Sequence, residues 1–146
     1  MEPIRFTKWG GPEGLEQHII AQTGCKPYSG AGINPRIHKK ISILKSVDNT
    51  YYYDDDLSDP NHPTYTLFGH NGDQREDEKQ FNEPLLQKTD IVYLYRVTKK
   101  DHDTKKPTEY WWYGAYQIVG KHRKQHQGMD HSMRTIVVLS LARPTQ

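Results

Sequence analysis

The stretch TYYYDDDLSDPNHPTYTLFGHNGD, residues 50–73, runs three tyrosines into three aspartates and returns to a second tyrosine, Tyr65, twelve residues after Tyr53. A knot of carboxylates between aromatic rings has two readings. It is a solvated turn between strands, or it is a pocket that grips something flat and polar. The second reading requires a loop folded back against a sheet, so the flanking sequence decides.

That sequence supplies the sheet. DIVYLYRV (90–97) is rich in β-branched and aromatic residues, the composition of a strand. KISILKS (40–46) alternates as a half-buried strand does, YTLFG (65–69) is a further short strand, and RTIVVLSLA (134–142) reads as a buried one. EYWWYGAYQIVG (109–120) predicts a long strand, bent or bulged at Gly114. Its Trp111 and Trp112 should point to opposite faces. TKKDHDTKKPT (98–108) suits an exposed hairpin loop. PEGLEQHIIAQT (12–23) predicts a short helix, with Pro12 in its first turn, Leu15 and Ile19 on one face and Gly24 closing it. REDEKQFNEPLLQ (75–87) looks helical, its acids favoured by the helix dipole, and Pro84 should end or kink it near Asn82. Five or six strands against two short helices favour an α+β domain with a curved or partly closed barrel over an alternating parallel sheet. With no repeat or linker, one domain is expected. Residues 1–37 form an N-terminal helix and turn-rich segment packed on a barrel of residues 38–146.

A chain of 146 residues is long enough for one real core. Only 34% is apolar, but 10 Tyr, 3 Trp and 3 Phe fill cores well and argue against disorder. The single cysteine, Cys25, cannot form an internal disulfide and fits a reducing compartment. No apolar run approaches the ~20 residues that cross a bilayer, and MEPIRFTKWGG lacks the apolar middle of a secretory signal. A soluble intracellular protein is the expectation, in the nucleus or in the cytoplasm and nucleoid. Net charge is +2, but its arrangement is uneven. Arg36, Lys39, Lys40 and Lys45 form one basic block, and Lys121, Arg123, Lys124 and Arg134 another. Asp54, Asp55, Asp56, Asp59 and DQREDE (73–78) are acidic. These are either solvated faces or a phosphate-attracting rim around an acidic centre.

Enzyme readings fare poorly. Cys25 has no surrounding signature of a thiol nucleophile. His122, His126 and His131 have a spacing zinc could use, but in a polar loop so dense in cations that a divalent ion would be repelled. DQREDEK could hold magnesium in a nuclease, yet a run on one helical face is usually solvated. GHNGD lacks the lysine and hydroxyl of a phosphate loop. Neither a catalytic residue, a metal site nor a cofactor is expected.

The tyrosine–aspartate stretch has more specific chemistry. A nucleobase drawn out of its stack needs two π faces and partners for its polar edge. Aromatic rings supply the faces, at about 1–3 kcal/mol per stacked base. A carboxylate accepts from the exocyclic amine of cytosine. Tyr53, Asp56, Tyr65 and Thr66 offer that set, and Asp56 would then be buried against the amine and local N–H groups.

YDDD followed by YT twelve residues on resembles the base pocket of the SRA (SET- and RING-associated) domain, a PUA-like family that binds DNA containing 5-methylcytosine or a related base by flipping it out. GHNGDQREDEKQFNEPLL looks like that family's glycine-rich turn, finger loop and Asn-containing helix, with Asn82 at the asparagine. IVYLYRV stands at its valine- and arginine-rich strand. YWWYGAYQIVG stands at its Tyr-Asp-Gly motif, where Gly114 and Tyr116 match but Trp112 and Tyr113 replace the Tyr-Asp pair. The resemblance covers roughly residues 38–142. It implies Tyr53 and Tyr65 as stacking rings, Asp56 as the acceptor and Thr66 as pocket lining. The loop Asn71, Gly72, Asp73, Gln74 and Arg75 would enter the DNA groove, with Gln74 or Arg75 filling the gap. Arg36, Lys39, Lys40, Lys121, Arg123 and Lys124 would hold phosphates. The partner is then duplex DNA with a modified cytosine, with a nuclease or chromatin-modifying module in cis or in trans. The rival readings are an RNA-binding PUA-like module, a metal-dependent nuclease and a protein-interaction domain.

Overall fold

The computed structural model describes residues 2–28, 30–48 and 52–145, which leaves Tyr51 of the tyrosine run outside the described residues. Seven strands form one curled sheet: β1 (Ile4–Phe6), β2 (Ile33–Arg36), β3 (Ile41–Val47), β4 (Thr64–Thr66), β5 (Ile91–Lys100), β6 (Pro107–Gln127) and β7 (Met133–Ala142). Two helices flank it, α1 (Leu15–Thr23) and α2 (Asn82–Gln87). The sheet order is β2-β3-β5-β6-β7-β4, with β1 also paired to β6. Only β3 and β5 run parallel among these pairings. This is the curled α+β half-barrel that the strand count favoured.

β6 is the spine. Its first half lies between β5 and β1, and from Gln117 onward it pairs with β7. Two irregularities bend it. Leu94 opposes Gly114 and Tyr95 opposes Trp112, so Tyr113 is the extra residue of a bulge, and Gly114 takes φ 89°, a left-handed backbone that glycine adopts without a Cβ penalty. The second lies between Ile118 and Gly120, where the strand leaves one half of the sheet for the other.

Period-two alternation divides the core between the two faces of the sheet. Leu44, Leu94, Tyr116 and Leu139 pack on one side with Tyr65, Leu67 and Leu85. Ile43, Tyr95, Val97 and Trp112 pack on the other, beneath Leu15 and Ile19 of α1. Each such aliphatic side chain contributes about 1.5–3 kcal/mol on full burial. Trp112 is buried while Trp111 stays partly exposed, as the alternation required. Trp9 packs on Tyr95 and Tyr110. The Gly24 N–H closes α1 on Ile20 O at 2.8 Å.

Three segments differ from their sequence reading. Residues 1–37, expected as a helix and turns packed on a barrel of residues 38–146, also supply two strands of the sheet itself, β1 and β2. Residues 75–81 are turns, and the helix begins at Asn82 rather than ending there. Pro84 falls in the first turn, where a missing N–H leaves no helical bond unmade. Upstream, Glu78 accepts from the N–H groups of Gln80, Phe81 and Asn82 at 2.8, 2.8 and 2.9 Å. Residues 121–127, read as a polar loop, are strand: β6 runs on through Gln127 and pairs residue by residue with β7. Among the described residues, no strand pairs with its other edge there, so every side chain can be polar. Among the described residues, no helix is long and apolar enough to cross a membrane.

Candidate functional site

The sheet order leaves β2 and β4 at opposite ends, and the curl brings them to face each other across a seam. Side chains bridge that seam. Tyr65 on β4, 4% exposed, donates its hydroxyl to Gly32 O (2.9 Å) and Lys45 O (3.0 Å) at the β2–β3 end. Beside this bridge lies a cavity of about 410 Å³. Its wall includes Tyr53, Asp55, Tyr65, Thr66, Phe68 and His70, with Lys45 and Lys100 also contributing.

From Tyr53 to Leu57, ahead of the turn into β4, neighbouring side chains alternate in direction. Tyr53 and Asp55 line the cavity and Leu57 is buried. Asp54 instead meets Lys124 Nζ at 2.5 Å. Asp56 is exposed and absent from the cavity wall. It accepts from the Ser58 N–H (3.0 Å) and hydroxyl (2.6 Å), as a turn-forming aspartate does, and those bonds hold its carboxyl below the usual range. The sequence reading placed Asp56 in the pocket; the residue at the cavity wall is Asp55. In extended chain, i and i+3 face opposite ways, whereas Tyr53 and Asp55, two apart, share a face.

Asp55 is held from two sides. The Ser46 hydroxyl donates to Oδ2 and the Thr66 N–H to Oδ1, both at 2.7 Å. Burial pushes its carboxyl above the ordinary range, opposed by these hydrogen bonds and, weakly, by Arg96. With about four lone-pair positions, the carboxylate retains capacity for further donors. Thr66 lies at the cavity, and its hydroxyl accepts from the Asp54 N–H at 2.8 Å.

Tyr53 and Tyr65 both line the cavity, and no ring contact joins them. Tyr53 pairs instead with His70, its hydroxyl 3.0 Å from Nδ1 and the rings 5.5 Å apart at 59°. Phe68 packs on Phe81 at 4.8 Å and on His70 at 6.1 Å. Burial, then repulsion from Lys100, pulls the Lys45 ammonium below its ordinary value. His70, Phe68, Phe81 and Lys100 escaped sequence reading; only the alternation from Tyr53 to Leu57 could have found Asp55.

The loop after β4 is tied down. The Gln74 amide donates to Leu67 O and Gly69 O at 2.6 and 3.1 Å and accepts from the Val137 N–H at 3.0 Å. Buried as a pin between loop and β7, Gln74 is not available as a groove plug. Asp73 accepts from the Thr135 N–H at 2.8 Å and Asn71 from the Asp130 N–H at 2.7 Å. Gly72 has open space around it, and exposed Arg75 pairs with Asp77 at 3.0 Å.

The cations fall in two places. Lys121 and Arg123, alternate residues of β6, both clasp Glu76, while Lys124 points to the opposite face. Lys39 ends a 3-10 turn, Ile37–Lys39, and Lys40 caps it just before β3, at the opposite end of that strand from Lys45 and the cavity. Arg36 rests on the Tyr28 ring, 4.2 Å from its centroid, and donates to Lys26 O at 2.7 Å. Among the described residues, no three of His, Cys, Asp and Glu converge as metal ligands.

No family model and no curated protein matches the sequence. Solved structures do match. The modification-dependent restriction endonuclease TagI superposes with TM-score 0.61 at 17% identity, over 100% of this chain and 50% of its own. The sulfur-binding and SRA domains of ScoMcrA, complexed with phosphorothioated DNA, give 0.61 at 17% identity, over 100% of this chain and 41% of theirs. KRYPTONITE in complex with mCHG DNA gives 0.58 at 16% identity, over 98% of this chain and 32% of its own. The chain thus spans half or less of each of these proteins. Its curled sheet, its seam and these superpositions together give it the fold of the SRA domain.

Proposed function

We propose that this domain binds duplex DNA carrying a modified cytosine and takes the flipped base into the seam cavity. The observation that carries this reading is Asp55: a carboxylate at the wall of a 410 Å³ aromatic cavity, desolvated yet retaining acceptor capacity. A cytosine amine is the donor such a group lacks. Tyr53 and Tyr65 supply the flat faces, and Thr66 completes the wall. Flipping costs a few kcal/mol, offset by stacking and one charge-assisted hydrogen bond. Lys121, Arg123 and Lys124 on β6 contact phosphate, Arg75 reaches the groove, and Arg36, Lys39 and Lys40 add longer-range attraction. The structural neighbours support a DNA partner, since two are complexes with modified DNA. They also support the role of a specificity module serving a nuclease or a chromatin-modifying enzyme, in the compartment that holds the DNA.

The test is a binding panel on one duplex whose central cytosine is unmodified, methylated or hydroxymethylated, at two salt concentrations. The parent should prefer a modified duplex at both, and Asp55→Asn should lose that preference while keeping salt-dependent affinity. Equal binding to every duplex by the parent would refute the reading.

A further inference from the structure

The turn joining β6 to β7, residues 128–132, presents a methionine to solvent beside the cavity. Met129 is 52% exposed, and its N–H donates to the carbonyl of His70, a cavity-wall residue, at 2.8 Å. An exposed apolar side chain on a floppy turn would mean little. This turn is fastened on every side. Gly128 N–H bonds Ser132 O at 2.8 Å and His131 N–H bonds Gly128 O at 3.0 Å. Asp130 accepts from the Ser132 N–H and hydroxyl at 3.1 and 2.7 Å, and its own N–H is held by Asn71. His131 takes φ 68°, an uncommon conformation for a residue with a Cβ. A Cβ at Gly128 would stand 3.1 Å from both His70 O and Arg134 Cδ, so only glycine fits without displacing its neighbours.

Arg134 locks this turn to the cavity. Its guanidinium, 2% exposed, donates to Gly69 O and Tyr52 O, each at 2.5 Å. Those carbonyls immediately precede His70 and Tyr53, whose side chains meet at the cavity. Hydrogen bonds therefore tie the turn that carries the methionine to the backbone beside two aromatic wall residues. Behind the turn, β6 carries Lys121, Arg123 and Lys124, basic side chains on the approach of a polyanion.

We infer that Met129 is an apolar wedge that enters the base stack at the position vacated by the captured nucleotide. The inference rests on the DNA reading above and adds a residue to it from a different loop than the 71–75 segment. A two-stranded ribbon is narrow enough for a DNA groove, and methionine is among the side chains that separate base steps in bent complexes. Fixed beside the cavity, Met129 would occupy the gap as the base leaves it, which lowers the cost of keeping the base out.

The experiment compares Met129→Ala and Met129→Leu with the parent. Each is measured on a duplex with one 5-methylcytosine, on the unmodified duplex, and on the same modified strand alone. A wedge has a gap to fill only in the duplex. Met129→Ala should weaken the modified duplex about tenfold, leave the single strand unchanged and leave Tm unchanged; Met129→Leu should bind as the parent does. Parental binding of the modified duplex by Met129→Ala, or equal weakening of duplex and single strand, overturns the wedge. A parent that prefers the modified duplex in that same experiment shows that the base-capture reading survives without it. A parent with no preference sinks both.

Discussion

Asp55 and Glu109 are two carboxylates drawn into the same domain and treated in opposite ways. Glu109, on β6, receives Arg5 Nε from β1 at 2.6 Å and the Thr98 hydroxyl from β5 at 2.7 Å, with Lys99 at 3.7 Å. Those hydrogen bonds, Thr98 first and Arg5 next, hold its carboxyl down at about 2. Asp55 is held by neutral donors alone, the Ser46 hydroxyl and the Thr66 N–H and hydroxyl, with no ion-pair partner among the described residues, and burial drives its carboxyl up. One acid is spent on joining three strands; the other is left short of partners beside a cavity. A desolvated carboxylate at a concave surface is a candidate for binding, whereas a paired one serves architecture.

The contrast can be broken in several ways, in falling order of expected effect on base discrimination. Asp55→Ala should cut the preference for modified over unmodified duplex about 10–100-fold, the range for a hydrogen bond to a charged group, in a competition titration. Tyr53→Ala removes one stacking face, worth about 1–3 kcal/mol, and should reduce the same preference about tenfold. Acidification should erode it more gradually. The Asp55 carboxyl titrates above the ordinary value of ~3.9, so the acceptor is lost while exposed carboxylates are still ionised. A pH series of the preference would locate that midpoint, and a preference constant down to pH 4 would count against Asp55 as the reader.

Glu109→Gln should leave discrimination untouched and lower Tm. Because the folded carboxyl of Glu109 lies below its unfolded value of ~4.3, its stabilisation is present above that pH and disappears as the pH falls toward 2. Asp55 has the reverse sign. Its folded value is raised, so its favourable contribution exists at low pH and is lost as pH rises through that value. Asp55→Asn should therefore keep or raise Tm at neutral pH, with the gain vanishing in acid. Thermal melts of both variants from pH 3 to pH 8 would show the two profiles crossing.

The strands of mixed face were legible, because β3, β5 and β7 carry β-branched and aromatic residues that only a packed sheet accommodates. Gly114 announced its bulge for the same reason: a glycine inside an apolar strand has little other use. The far half of β6 was illegible. Lys121 to Gln127 pack no side of a core, so no alternation survives, and the strand exists because β7 offers it partners. The start of α2 was hidden because Pro84 signals a break from either side, and only Glu78 folding back on the N–H groups decides which. Tyr53, Tyr65 and Thr66, singled out in the sequence by residue type and spacing, stand together at the cavity wall. The choice among three adjacent aspartates was not legible, since it depends on backbone direction rather than on spacing.

The Tyr65 hydroxyl spans a gap that main-chain pairing leaves open between the first and last staves of the sheet. Whatever occupies that gap acts as an additional stave. A guest seated there should slow amide exchange at Gly32 and Thr66 together, although one precedes β2 and the other ends β4, because a single object would be fastening both rims.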